Sequence, residues 1–220
     1  MKKICILGAG CAAINSIGEI ANDFDLNYRY RDKIIISYGF ISPHLEEINA
    51  AQRLGLDLVH EEFKEAYRPI INRKVVRRID YLAIGKNACK GLPGQNIAKA
   101  FEESEKDIDV FLNKLLKGCN FVILITGFGG KTGTFLIPKL VKKINNMNIK
   151  NMSIIEKPYN FEGQKRIEKY QLGIAELENI TDNFTIIDIL PSEKNSIIEA
   201  FKFRDREIAK TTKQIIIEQI

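Results

Sequence analysis

The stretch "FVILITGFGGKTGTFLIPKLVKKI", residues 121–144, joins an apolar run, a glycine-rich loop and a second apolar pattern. An apolar run bounded by glycine is typical of a buried strand, and the spacing of apolar residues after the loop predicts a helix. Glycine lets backbone amides approach a bound group, and the N-terminus of a helix attracts anions. The loop therefore predicts a phosphate site. Its candidate residues are Gly127, Gly129, Gly130, Lys131, Thr132, Gly133 and Thr134.

Strand-like runs and helical patterns alternate in the same way along the rest of the chain. Strand-like apolar runs lie at 3–7, 33–38, 121–126, 150–155 and 184–190. Helical patterns lie at 45–54, 97–116, 135–146 and 162–180, and a long helix at about 196–220 ends the chain. This alternation predicts an α/β fold, a Rossmann-like parallel sheet with helices on both faces, in which ligands bind at the carboxyl ends of the strands.

The composition is that of a globular protein. Hydrophobic residues make up 45% and charged residues 28% of the 220 positions, which argues against disorder. No linker divides the chain, so we expect a single domain over residues 1–220. Because no run is long enough to cross a bilayer and the N-terminus lacks a signal core, we expect a cytoplasmic protein. The net charge is only +5, and the basic run at 73–78 is interpreted as a solvated surface, so no nucleic-acid partner is predicted.

Cysteine and histidine give no candidate for catalysis or metal binding. Cys5, Cys11, Cys89 and Cys119 form no CxxC pair, and with only two histidines the spacings do not match a zinc site. We interpret the cysteines as small buried residues in a reducing compartment. The two histidines are too isolated to be predicted as catalytic bases. No catalytic residue and no metal ligand is therefore assigned.

Three further loops contain glycine, and each is ambiguous alone. The first loop carries Gly8 and Gly10, but Ala13 replaces the third glycine of a dinucleotide motif, so a tight turn is an equal alternative. The loop at 85–96 is typical of an ordinary loop that precedes a helix. In "EKPYNFEGQKR", Glu162 and Arg166 are four residues apart and could form a surface ion pair.

The phosphate loop itself matches the P-loop pattern incompletely, because Ile125 stands at the position of the first glycine. Its amides, hydroxyls and the Lys131 charge still suit a di- or triphosphate. A P-loop-like ATPase that uses Lys131 therefore remains an alternative.

Taken in order, these motifs resemble the FtsZ and tubulin superfamily of GTP-binding filament proteins, and FtsZ more closely than tubulin. "GFGGKTGTFLIP" resembles the FtsZ loop GGGTGTG, with Lys131 at a glycine position, and "KPYNFEGQKR" resembles KPFxFEGxxR. "EAFKFRD" is similar to the family's DAFxxAD.

The resemblance implies a site for GTP or GDP, with Mg²⁺ as a possible companion. Gly8, Gly10 and Asn15 would form the first loop of this site, and the glycine-rich loop would hold the phosphates. Glu162 and Arg166 would meet the ribose. Phe201 would stack on the base, and Asp205 would accept hydrogen bonds from guanine. The implied partners are a guanine nucleotide and either full-length FtsZ or a second copy of the chain.

Departures from the family shape the expected role. The first loop has Cys11, Ala12, Ala13 and Ile14 where FtsZ has glycines, and the sequence stops at "IIIEQI", where FtsZ continues into an NxDxxD loop and a second domain. With neither an activation loop nor a second domain, the chain is expected to hydrolyse GTP only with an activating partner. We expect a regulator or partner of filaments in cell division. A nucleotide-free interaction module that keeps the fold is the remaining alternative.

Overall fold

A computed structural model describes residues 1–21, 23, 30, 32–44, 46–50, 79–85, 96–190 and 196–220. The helix predicted at 45–54 is described only over 46–50, and those residues are helical. The basic run at 73–78 and residues 86–95 of the second glycine loop lie outside the described residues.

The described strands form one six-stranded sheet in the order β3-β2-β1-β4-β5-β6. All of the neighbouring pairs are parallel. The strands are β1 (Lys2–Ala9), β2 (Ile34–Ser42), β3 (Ile79–Ala83), β4 (Phe121–Gly127), β5 (Lys150–Glu156) and β6 (Phe184–Ile187). The chain order reverses between β1 and β4, and in such sheets ligands bind at the carboxyl ends next to that reversal.

Helices connect the strands. Those with described bounds are α1 (Ala12–Ala21), α2 (Ile97–Glu103), α3 (Glu105–Leu115), α4 (Thr132–Asn146), α5 (Gln164–Glu178) and α6 (Ile197–Glu218), and a 3₁₀ turn covers Asn160–Glu162. None of the helices in the described part of the chain is long and apolar enough to cross a membrane.

The two faces of the sheet bury separate apolar cores, because successive side chains of a strand point to opposite faces. On β1, Ile4 and Ile6 pack in the core that includes α1 and α6, whereas Cys5 and Leu7 pack in the core that includes α3, α4 and α5. The middle of β1 and of β4 is therefore apolar on both faces, as expected for a parallel sheet covered on both sides. The predicted fold class is confirmed.

Some element predictions were wrong. The sequence patterns missed β3, an edge strand in which Asp80 and Tyr81 interrupt the apolar run, and they did not delimit α1. The helix predicted at 97–116 is divided at Ser104, which lies between α2 and α3. The helix predicted at 162–180 begins only at Gln164, so Glu162 belongs to the preceding 3₁₀ turn. The final strand ends at Ile187, before the predicted limit of 190.

The glycine-rich loop at 127–134 is held against the sheet by contacts of Thr126 and Gly133. Thr126, at the end of β4, donates its hydroxyl to the backbone oxygen of Ala9 at 2.7 Å, which ties β4 to the end of β1. Gly133, in the first turn of α4, lies so near that an added Cβ would meet the Thr126 Oγ1 at 1.9 Å and the Gly127 carbonyl oxygen at 2.6 Å. A side chain at position 133 would therefore displace the start of α4.

We expect Gly133→Ala to destabilise the protein by about 1 to 3 kcal/mol, the usual cost of overpacking, despite the better helix propensity of alanine. Gly130→Ala is the matched control, because no described heavy atom lies within 4 Å of an added Cβ at that position. Urea unfolding of both variants measures the difference. Equal free energies of unfolding would show that the contact between α4 and β4 relaxes without cost.

Candidate functional site

A cavity of about 520 Å³ opens at the carboxyl ends of the central strands. Its volume lies within the range of small-molecule sites. Most residues predicted from the sequence line this cavity, and the structure therefore brings together positions from both ends of the chain. The predicted residues in its lining are Gly10, Asn15, Gly127, Gly130, Lys131, Thr132, Gly133, Glu162, Arg166, Phe201 and Asp205.

Gly8, Gly129 and Thr134 were also predicted as contacts, but they are not among the residues that line the cavity. A Cβ at Gly8 would meet the Ile17 Cδ1 at 2.6 Å, so this glycine lets α1 pack on β1. Gly129 has a φ of 89° and donates its N–H to the Thr134 Oγ1 at 2.9 Å. These residues shape the loops in the structure, and their contact with a ligand stays a prediction.

One end of the cavity is built from two helix N-termini. Helix α1 begins at Ala12 and helix α4 at Thr132, and neither has an acidic residue in its first turn. A Cβ on Gly10 would lie 3.4 Å from the Thr132 Cβ and 3.6 Å from the Gly133 nitrogen, so the two loops are in close contact. The N–H groups at a helix start point toward its N-terminus and the helix dipole is positive there, so this end is attractive to anions. Lys131 is exposed at the same end.

The opposite end of the cavity is aromatic. Phe201, on α6, forms edge-to-face contacts with Tyr159 at 5.7 Å and with Phe161 at 6.2 Å between ring centroids. Tyr159 also donates its hydroxyl to the Ala200 backbone oxygen at 2.8 Å, which fixes the loop after β5 to the first turn of α6. A partly exposed ring held in this way is suited to stacking on a planar ligand.

Asp205 lies one turn after Phe201, at the same end. Its Oδ1 accepts a hydrogen bond from the Ser16 hydroxyl at 3.1 Å, and Asn15 is a second hydrogen-bonding partner. Burial raises the pKa of the Asp205 carboxyl, and the bonds from Ser16 and Asn15 oppose that shift. The packing of α6 on α1 therefore places a partly desolvated carboxylate beside the aromatic ring.

Glu162 and Arg166 form the ion pair considered from their spacing. The Glu162 side chain is only 9% exposed, and its Oε1 also accepts the Tyr159 backbone N–H at 2.9 Å. Arg204 Nη1 lies 3.4 Å from the same oxygen. Both oxygens of Glu162 consequently have partners from the protein.

Sequence reasoning missed the most deeply buried charges of the site. Glu156, the last residue of β5, is 4% exposed, and Arg204, on α6, is 6% exposed. The Arg204 Nη2 forms an ion pair with the Glu156 Oε1, and its guanidinium carbon lies 4.5 Å from the Tyr159 ring centroid and 4.8 Å from that of Phe201. Burial lowers the pKa of Arg204 to about 10, which leaves it charged at neutral pH. Glu156 and Arg204 lie far apart in the sequence, so no spacing pattern predicted their ion pair.

The cavity wall beside the first loop contains Cys11, His44 and Glu47. The prediction that the cysteines are buried was wrong for Cys11, which is exposed because it precedes α1 at the open edge of the loop. Partial burial of the Cys11 sulfur nevertheless raises the pKa of its thiol, and the nearby Glu47 carboxylate raises it further. Glu47 accepts a hydrogen bond from the Ser42 hydroxyl at 2.5 Å.

No cluster of three or more metal-binding side chains occurs among the described residues. A metal ion at this site would therefore need ligand oxygens in addition to those of the protein. Glu47 is the carboxylate that the cavity offers beside the first loop.

Comparison with known proteins identifies the family of this chain. Residues 71–189 match the family described as "Tubulin/FtsZ family, GTPase domain". The chain belongs to the Tubulin/FtsZ family. The resemblance inferred from the loop motifs is thereby confirmed.

The FtsZ cell division proteins of Buchnera aphidicola subsp. Baizongia pistaciae and Haemophilus influenzae are each 32% identical to this chain, over 61% and 54% of its length. These matches cover 35% and 29% of the relatives, so the chain spans about a third of the curated relatives that it matches.

Solved structures of the family share the fold. An empty FtsZ dimer from M. jannaschii superposes with a TM-score of 0.65 at 21% identity, covering 98% of this chain and 55% of that chain. CetZ from Methanosaeta thermophila superposes with a TM-score of 0.71 at 16% identity, covering 98% and 54%. The strands and helices described above therefore have the fold of these structures.

Within this Tubulin/FtsZ fold, we expect Arg204→Met to destabilise the protein by about 3 to 5 kcal/mol, because it leaves the buried Glu156 charge without its partner. The double variant Glu156→Leu/Arg204→Met should lose much less, since it removes both charges together. Urea unfolding measures both free energies. If the single and double variants were equally stable, Glu156 would not depend on Arg204 for its stability.

Proposed function

We propose that this Tubulin/FtsZ-family chain binds GTP or GDP in the cavity at the carboxyl ends of its strands. The observation that carries the proposal is the division of that cavity into two chemically different ends. Helix N-termini and Lys131 form an end suited to phosphates, while Phe201 and Asp205 form an end suited to a base. Their placement within one cavity matches the extended shape of a nucleotide.

Guanine fits the base end better than adenine. An ionised Asp205 carboxylate accepts hydrogen bonds, and guanine presents two adjacent donors at N1 and the 2-amino group. Adenine presents no such pair, so it would offer the partly buried carboxylate no donor beyond those of Ser16 and Asn15. Phe201 would stack on either purine, and selectivity therefore depends on Asp205.

We expect Asp205→Ala to weaken GTP binding by about 2 kcal/mol, the cost of losing hydrogen bonds to a charged group, while ATP binding changes little. Titration of wild type and variant with GTP, GDP and ATP measures both effects. Because GTP binding requires the ionised carboxylate and its pKa is raised, wild-type affinity should also fall on acidification at a higher pH than for an ordinary aspartate, and the variant should lose that component. Equal losses for GTP and ATP would contradict the assignment.

Hydrolysis requires a group that orients water at the terminal phosphate. The described lining contains four carboxylates, and each is already engaged: Glu47 by Ser42, Glu156 by Arg204, Glu162 by Arg166 and Asp205 by Ser16. We therefore infer that turnover depends on acids supplied by an activating partner. FtsZ filaments in the cytoplasm are the proposed source, and Mg²⁺ would bind through the phosphates beside Glu47.

We expect purified protein to bind GTP but to release phosphate negligibly at any protein concentration. Addition of full-length FtsZ whose own nucleotide site has been disabled should raise phosphate release, if FtsZ is the activating partner. Phosphate release measured against concentration, with and without FtsZ, tests this expectation. Robust turnover by the protein alone that rises with its concentration would show that self-association supplies the activating groups.

The same nucleotide titration separates the proposed function from its alternatives. Tighter binding of ATP than of GTP would favour a P-loop-like ATPase that uses Lys131. Absence of binding to all three nucleotides would favour an interaction module that keeps the fold alone.

A further inference from the structure

Helix α6 presents charged and aromatic side chains on the face that points away from the sheet. Phe203 is 46% exposed, and Glu199, Arg206 and Lys210 are exposed as well. At about 100° per residue, these four side chains fall within roughly 60° of one another around the helix axis. They therefore form one outward set, which we call the α6 stripe.

The other side of the same helix belongs to the core and to the cavity. Ile208 is fully buried in the core that includes α1, and Phe201 and Asp205 line the cavity. Around the helix axis, Ile208 lies roughly 170° from the middle of the α6 stripe. A partner bound to the α6 stripe would therefore leave the cavity open.

The α6 stripe is complementary to itself. Glu199 precedes the midpoint between positions 204 and 205 by as many residues as Lys210 follows it, and the same holds for Phe203 and Arg206. If two α6 helices pack antiparallel about a two-fold axis at that midpoint, Glu199 faces Lys210 and Phe203 faces Arg206, and each contact occurs twice. An acid facing a base attracts it, and a guanidinium is attracted to an aromatic ring.

The charged groups of the α6 stripe can take these partners without breaking strong contacts. Lys210 pairs with Glu207 at 3.5 Å, but its side chain is 76% exposed, and such surface pairs contribute little to stability. Glu199 accepts the Ser196 backbone N–H at 2.9 Å through its Oε2. A carboxylate can accept several hydrogen bonds, so Glu199 can cap the helix and still bind a lysine.

We propose that the α6 stripe is an interface between two copies of the chain, packed antiparallel about a two-fold axis. The contact from Glu199 to Lys210 covers roughly 17 Å of helix. An interface of this size supports a transient dimer, and its exposed charges make the association weaker at high salt. The interface lies outside the cavity, so the proposal does not depend on nucleotide binding.

Sedimentation velocity of the full chain, from about 1 μM to about 1 mM, measures the association. At low salt the weight-average mass should rise with concentration toward twice the mass of one chain and no further, because a two-fold contact closes after two copies. Added salt should lower that mass. Growth beyond two copies would contradict a two-fold interface.

Charge reversal gives the sharper test. Lys210→Glu replaces both attractive pairs with repulsive ones, so the dissociation constant should rise about tenfold or more, and Glu199→Lys should act in the same way. A mixture of these two variants should associate as wild type does, because each supplies the charge that the other requires. Phe203→Ala, which keeps every charge, should also weaken the dimer and serves if Glu199→Lys, which removes part of the helix cap, fails to fold.

Lys169→Glu is the matched control, because Lys169 is exposed on α5 and the change in charge is the same. This variant should associate as wild type does. Wild-type protein that stays monomeric over the whole range, equal weakening by Lys210→Glu and Lys169→Glu, or a mixture of reversed variants that stays monomeric would each overturn the proposal. None of these results bears on nucleotide binding, so they are distinguishable from a failure of the proposed function.

Discussion

The site depends on the contact between Gly133 and Thr126, which holds the first turn of α4 against the end of β4. The Thr126 hydroxyl donates to Ala9, so the same side chain also fixes the end of β1. Two strand ends and one helix start are thereby joined, and the first loop packs on the phosphate loop at Gly10 and Thr132. A side chain at position 133 would separate these elements. The anion-attracting end of the cavity is therefore a consequence of backbone packing and does not require a cluster of basic side chains.

The aromatic end of the cavity depends on the charge of Arg204 instead of on close backbone packing. Arg204 joins α6 to β5 through Glu156 and to the following loop through Glu162 and the Lys157 backbone oxygen at 3.3 Å. Its guanidinium also contacts the rings of Tyr159 and Phe201. Because one cation satisfies several elements, a change at position 204 would disturb the aromatic wall and both glutamates together. Burial of such a charge is tolerated only while its partners remain in place.

The sequence predicted those parts of the site that have a local pattern. Glycine-rich strand ends identified the phosphate loop, and the FtsZ-like motifs identified Phe201 and Asp205. Glu156 and Arg204 could not be predicted, because neither belongs to a repeated spacing and their contact requires β5 and α6 to be placed first. Strand β3 was missed for a related reason: its polar residues suit an edge position, which only the sheet order shows. For Gly129 and Thr134 the motif predicts ligand contact, and the structure adds that the Gly129 N–H donates to the Thr134 hydroxyl within the loop.

The distribution of charge along the cavity limits how a nucleotide could lie in it. Three of the lining carboxylates, those of Glu156, Glu162 and Asp205, come from β5, the following turn and α6. Two of the three are paired with arginine, so their charges are compensated before any ligand enters, whereas Asp205 accepts a hydrogen bond from the neutral Ser16 hydroxyl. A triphosphate placed among these acids would face repulsion in a partly desolvated environment, where charges interact more strongly than in water. The reverse orientation places phosphates at the helix N-termini and sugar or base donors on the acids, and it is the orientation that the proposed function requires.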